Sequence, residues 1–379
     1  MGQVLNGCAT TTAADRRAIY QSGNHLKYFI LCAGILVANA AWAQGLPLPR
    51  LDDPQLQALI DKFPAALAEM EKSEFFEHPQ QPPAFECDID EATKLQMAGT
   101  YYNNPVAEKA FKDAQREVAR SMRAQGLDSV EMTMPVDSNF KFTPLAITCS
   151  NGKPEGAYTY IASLDRAMSQ ASSMVGTDST SIVKNSSSMA SFIVQRGTFY
   201  ISGGAVEKRQ EFYQLTQTKV VSLSEDERLN KVMKRTDKDV NAELNKPQFQ
   251  ATYISNDGTM VTILPTSDYT VKSGLLYPSV KKISSILTSI IRPTGEDRRE
   301  QISYIGTRLQ GRTHTKGNRM HGPAVTYMEN IYKKLGQPLA GQIGMEDSRE
   351  VVMDGADMIE NTMCYQNGVI VKMTPCPMD

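Results

Sequence analysis

The sequence predicts an α+β fold in which N-terminal helices precede a β-hairpin-rich, largely antiparallel region. Three observations carry this. Apolar residues recur at helical spacing between Leu46 and Gly126, two-residue alternation takes over from Val130, and the alternating runs are divided by Asn-Gly and Asn-Asp-Gly turns. In the helical region Asp53-Pro54 opens a helix with Leu56, Leu59, Ile60 and Phe63 on one face; Pro64 interrupts it and it resumes through Met70. His78 to Pro83 (HPQQPP) reads as a linker. A second helix runs from Asn104-Pro105 to Gly126, with Val106, Ala110, Phe111, Ala114, Val118 and Met122 at helical spacing.

Beyond it, residues 131–135, 141–148 and 156–161 read as strands, the last following the turn Asn151-Gly152. Residues 168–191, rich in serine and methionine and poor in aromatics, read as an exposed insertion. Strand-like segments follow at 190–200 and 204–221. Residues 224–245 read as a charged helix with a Ser224/Glu227 capping box. Asn256-Asp257-Gly258 joins 249–255 to 260–264 as a hairpin. Apolar positions 280, 283, 286, 287, 290 and 291 then predict an amphipathic helix ended by Pro293, its stripe turned to the core.

Four segments result: a leader (1–26), a signal peptide (27–43), a helical region (44–128) and a β-rich domain (129–379). Lys27 supplies a positive n-region, Tyr28 to Ala38 the apolar h-region, and Ala41-Trp42-Ala43 a small-x-small cleavage site, so the exported chain starts near Gln44. The apolar run is too short for a stable transmembrane anchor, which needs roughly twenty residues. Met1 to Asn24 (MGQVLNGCATTTAADRRAIYQSGN) resembles the N-terminus of insertion-element transposases through its GCATTT and RRAI runs. The likeness stops before any helix that could enter a major groove, and it implies a fused mobile-element remnant and no DNA-binding role.

Past Ala43 the chain keeps 37 basic and 41 acidic residues, a net charge near −4, which leaves no electrostatic footprint for nucleic acid or anionic lipid. Cys87, Cys149, Cys364 and Cys376 are an even set in an oxidising compartment. Cys364 pairs with Cys376 across the hairpin that Asn367-Gly368 specifies, leaving Cys87 for Cys149. Neither pair has zinc spacing, so no metal and no cofactor is expected.

Asn151-Gly152-Lys153-Pro154-Glu155-Gly156-Ala157-Tyr158-Thr159-Tyr160 and Gly317-Asn318-Arg319-Met320-His321-Gly322-Pro323-Ala324-Val325-Thr326-Tyr327 share a form: a turn, a basic residue, a second glycine, then alternation ending on tyrosine. This resembles the MORN-type repeat, including the bacterial antitoxin-component variant, with a further copy at Asn367-Gly368. The resemblance implies stacked hairpins and a scaffold or binding role.

Arg312, His314, Arg319 and His321, near Arg308, form a basic, glycine-rich candidate ligand site for an anionic group. Asp88 with Asp90, and Glu346 with Asp347, are the candidate acidic pairs. No catalytic residue can be assigned: Gly-x-Ser-x-Gly, Ser-x-x-Lys, His-Glu-x-x-His and P-loop patterns are all absent. Two functions fit, a non-catalytic periplasmic or secreted binding protein whose partner is an envelope protein or polysaccharide, and a cell-envelope hydrolase acting on glycan or peptidoglycan.

Overall fold

Among the described residues fifteen strands form one antiparallel sheet in which nearly every strand pairs with its neighbour in sequence. The computed structural model describes residues 46–72, 74–87, 112, 115–116, 129–132, 135–175, 182–224, 247–272, 275–317, 319–340, 342, 348–372 and 375–376. The strands are β1 (Ser129–Met132), β2 (Val136–Ser150), β3 (Lys153–Val175), β4 (Ile182–Ser202), β5 (Ala205–Ser224), β6 (Gln248–Ile254), β7 (Met260–Lys272) and β8 (Leu275–Pro293). After them come β9 (Arg298–Ile305), β10 (Arg308–Lys316), β11 (Arg319–Met320), β12 (Gly322–Glu329), β13 (Ser348–Met353), β14 (Ala356–Gln366) and β15 (Val369–Val371). Their order is β1-β3-β4-β5-β6-β7-β8-β9-β10-β12-β14-β13, with β2 on β3, β11 on β10 and β15 on β14.

The turns explain the meander. Asn151-Gly152, Gly203-Gly204, Asp354-Gly355 and Asn367-Gly368 all hold positive φ at both central residues, which matches the twist of two-residue hairpin connections.

The expected α+β class is overturned: the protein is mainly antiparallel β. The N-terminal helices described are two eight-residue segments, α1 (Pro54–Asp61) and α2 (Phe63–Met70). Asp53 caps α1, accepting from the Gln55 and Leu56 N–H groups, and Pro64 falls in the first turn of α2, where a missing N–H costs nothing. The expected helix at 104–126 falls almost wholly outside the described residues, as does that at 224–245 except for Ser224, the last residue of β5.

One further expectation is corrected. Residues 280–291 are not a helix but part of β8, where Ile286, Thr288 and Ile290 are buried at period two. Ile283, Ile286, Ile290 and Ile291 are β-branched and stiff at χ1, which suits a strand although their spacing of three, four and one is helical. The serine-rich tract 168–191 is described at 168–175 and 182–191, all of it strand. It extends β3 and β4, paired in continuous register from Met168↔Met189 to Val175↔Ile182.

The core lies on one sheet face. Cross-strand register aligns Thr159, Thr198, Glu211, Tyr253, Val261, Ile290, Ile302, Arg312, Val325 and Thr362 in a single row, since directly paired residues point to the same side. Over the middle of this face sit α1, α2 and the segment after them, which bury Ile60, Phe63, Leu67 and Phe76 against Tyr253, Val261, Ile263 and Ile290. Phe75 meets Tyr213 edge-on at 5.6 Å, Phe76 meets Phe249 at 6.2 Å, and Lys62 Nζ reaches Glu211 Oε1 at 2.7 Å.

The opposite face carries a smaller aromatic cluster. Phe142, Tyr160 and Phe199 stack with centroids 5.1 Å apart at each step, beside Tyr158, Ala162 and Ile201. The Tyr160 ring lies across Gly197, its cross-strand partner, so closely that a Cβ there would overlap the ring. Burial pushes the Tyr158 hydroxyl up to about 12. Both predicted disulfides form, Cys87–Cys149 with Cα atoms 5.9 Å apart and Cys364–Cys376 with 5.3 Å.

Candidate functional site

The sheet forks where β6 begins. β6 pairs with β5 only from Gln210 to Thr216, so Gln217–Ser224 of β5 runs on past it. On the other side, β8 pairs with β9 only from Leu287, leaving its earlier residues paired to β7 alone. Two arms therefore extend beyond the common sheet: β3, β4 and β5, and the hairpin β7–β8.

A cavity of about 370 Å³ sits at the fork, lined by Asp165, Phe192, Gln217, Pro247 and Leu276 among others. Asp165, Phe192 and Gln217 are direct cross-strand partners and form one row on the helix-covered face. The preceding row on that face, Ser163, Val194, Leu215 and Phe249, is buried, whereas Phe192 is 36% exposed. The N-terminal segment thus stops one row short, and the first row it leaves open is carboxylate, aromatic ring, amide. Asp165 accepts from Asn139 Nδ2 at 2.7 Å, while the Gln217 Nε2 is buried without a hydrogen-bond partner. An unmade bond of that kind costs roughly 1–3 kcal/mol.

His78 fixes the edge of the cover. Its Nδ1 lies 3.0 Å from Thr143 Oγ1 and its Nε2 2.9 Å from Ser163 Oγ, hydroxyls that can each donate or accept. Burial, reinforced by Lys141, lowers the imidazole pKa and favours the neutral ring, which donates from one nitrogen and accepts at the other. A serine on a neutral histidine has the makings of a nucleophile, but Ser163 is 5% exposed and closed off from substrate.

The residues singled out from the sequence lie at the other end of the sheet and divide into two groups. Arg312 and His314 share one face of β10, beside the buried Glu300, which also takes a 2.6 Å contact from Arg292 Nε. His314 pairs with Glu300 in register; burial lowers its pKa, Glu300 opposes the shift and Arg312 adds to it. On the same face Tyr327 pairs with Glu360, and Arg349 holds Glu360 at 2.7 Å. The result is a lattice of alternating charge.

Arg319 and His321 serve the adjoining hairpin. His321 is buried; its backbone N–H donates to His314 O at 2.9 Å, and its Nδ1 accepts the Asn367 N–H at 3.3 Å. Arg319 packs over Gly368. The acidic pairs Asp88/Asp90 and Glu346/Asp347, and Asn318 in the second hairpin motif, lie outside the described residues. Among the described residues no histidine, cysteine and carboxylate cluster suits a metal ion.

Sequence reasoning placed Asp165, Phe192 and Gln217 on or beside strand-like segments without connecting them. Only register joins residues so far apart in the chain. No family model, curated protein or solved structure matches the chain.

Proposed function

We propose that this is a non-catalytic exported binding protein, released to the periplasm or medium after cleavage near Ala43, with the fork cavity as its ligand site and MORN-like hairpins as its framework. The carrying observation is the Asp165–Phe192–Gln217 row at the fork cavity, a concave site where an exposed aromatic ring stands beside a carboxylate. Export is supported by the two disulfides, which persist in oxidising compartments, and among the described residues no helix is long and apolar enough to cross a membrane.

The alternative, a cell-envelope hydrolase working through Arg312, His314, Arg319 and His321, draws on the same basic surface. Against it, His321 is buried as a hairpin strut and Arg312 is engaged by Glu300.

The test is to mix the exported protein with envelope polysaccharide and protein fractions and to map hydrogen-exchange protection. Protection around Asp165, Phe192 and Gln217 without turnover is expected. Glycan or peptidoglycan turnover that vanishes in His314→Ala would establish the hydrolase instead.

A further inference from the structure

We propose that residues 77–86 form a proton-released strap: a proton taken up by His78 lifts the segment from β2 and β3, while Phe76 and Cys87 hold its two ends in place. Neither end depends on a titratable group. Phe76 is buried and meets the Phe249 ring edge-on, and Cys87, also buried, is bonded to Cys149. Between these anchors residues 78–86 belong to no helix or strand, and the run from Gln80 to Ala84 is exposed. Pro79, Pro82 and Pro83 have no N–H to give to a strand ladder and stiffen the chain, so the segment moves as one piece.

His78 is the latch. Its ring reaches two strands at once, Thr143 Oγ1 of β2 at 3.0 Å and Ser163 Oγ of β3 at 2.9 Å. Register sets Lys141 directly across from Ser163, and Lys141 and Thr143 are two residues apart on β2, so all three occupy the covered face. A proton on the ring therefore puts a second positive charge beside Lys141. Both hydroxyls can accept, so the hydrogen bonds survive protonation; what opposes it is the hydration lost on burial and the neighbouring ammonium. Among the described residues the other charges around the latch come from β3, β4 and the strap itself. Asp165 lies two residues beyond Ser163 and accepts from Asn139, Arg196 of β4 lies over the Phe75 ring, and Glu77 and Glu86 are exposed near the strap ends.

The direction of the effect follows from linkage. His78 has its ordinary pKa of 6.5 when released and a lower one when latched, so the released form binds the proton more readily. The strap stays down above pH 6.5 and is freed as pH falls below it, by at most about tenfold per pH unit for one proton. Ser163, 5% exposed under the latch, is bared by the release, one row from Asp165 at the fork.

Hydrogen exchange of the full exported chain, read by mass spectrometry at pH 7 and pH 5 and corrected for intrinsic rates, tests this. Peptides over 77–87 should lose about threefold or more of their protection at pH 5, while those over β6 to β8 keep theirs. His78→Gln, which keeps a donor and an acceptor and does not titrate, should hold the strap down at both pH values, and His78→Ala should free it at both. Lys141→Gln should lessen the acid loss. Unchanged protection of 77–87 in the parent chain overturns the proposal, as does an equal acid loss in His78→Gln. Protection lost evenly over 77–87 and β6 to β8 overturns it too, because that is global unfolding. Should His78→Gln not fold, Lys141→Gln decides, and an acid loss identical to the parent chain's removes the latch.

Discussion

The two ends of one sheet face solve the same problem by different means. From β3 to β9 that face is roofed by α1, α2 and Phe75-Phe76, and the row through Tyr253, Val261 and Ile290 is fully buried. From β10 to β14 no described helix covers it, and the same row continues as Arg312, Val325 and Thr362 within the lattice of Arg292, Glu300, Glu360 and Arg349. Burial is worth roughly 25 cal/mol per Å² of apolar surface and ignores salt, whereas exposed ion pairs contribute about 0–1 kcal/mol and are screened. The roofed half therefore supplies the stability, and the unroofed half trades it for a wettable surface.

That contrast can be broken most forcefully at its centre. Phe63→Ala, in a side chain with no exposure, should cost about 3–5 kcal/mol, read by urea denaturation and unchanged between low and high salt. A smaller loss, about 2–4 kcal/mol, is expected when Cys87 and Cys149 are both replaced by serine, because that bridge ties the 62-residue span leading from the roof to β2. Glu300→Gln should cost about 1–3 kcal/mol, since it removes the buried negative charge shared by Arg292 and Arg312 and turns an NH2 group toward one of the two guanidinium groups. Arg349→Ala, on a side chain 73% exposed, should cost under about 1 kcal/mol and nothing measurable in high salt. A salt-insensitive loss in Arg349→Ala would show that the lattice is a packed core in its own right.

The pH dependence sharpens the comparison from the roofed side. His78 has a pKa lowered from 6.5 in the folded protein, so below that value the unfolded chain binds the proton more readily. Stability from the His78 contacts is therefore present above pH 6.5 and declines as pH falls toward the folded value. His314 is shifted the same way and adds to the slope. His78→Gln should flatten part of the acid loss seen between pH 7 and 5; an unchanged profile would assign it to His314 or to carboxylates.

Local chemistry was legible in the sequence wherever it acts over a few residues. Asp53-Pro54 opened α1, Asn151-Gly152 and Asn367-Gly368 made their turns, and the Cys364–Cys376 bridge followed from the latter. What failed was the choice between periods. Ile283, Ile286, Ile290 and Ile291 are spaced as a helical stripe, and pairing with β7 and β9 overrode that spacing. The serine-rich tract, expected as an exposed insertion because it lacks large side chains, supplies paired strand at 168–175 and 182–191. The candidate site was illegible for a related reason: Asp165, Phe192 and Gln217 become neighbours only when three strands align.

The roof carries a further consequence for the order in which the molecule assembles. Each strand finds its partner in the next hairpin, so the sheet can zip up locally as the chain lengthens, and short loops close fast. The roof cannot. Lys62 waits for Glu211, 149 residues downstream, and Phe76 for Phe249. Residues made before any strand are thus among the last to find their places, and until β5 and β6 exist their apolar faces are open to other chains. Oxidation of Cys87 with Cys149 needs nothing beyond β2, and it tethers the waiting segment to the growing sheet well before its berth is built.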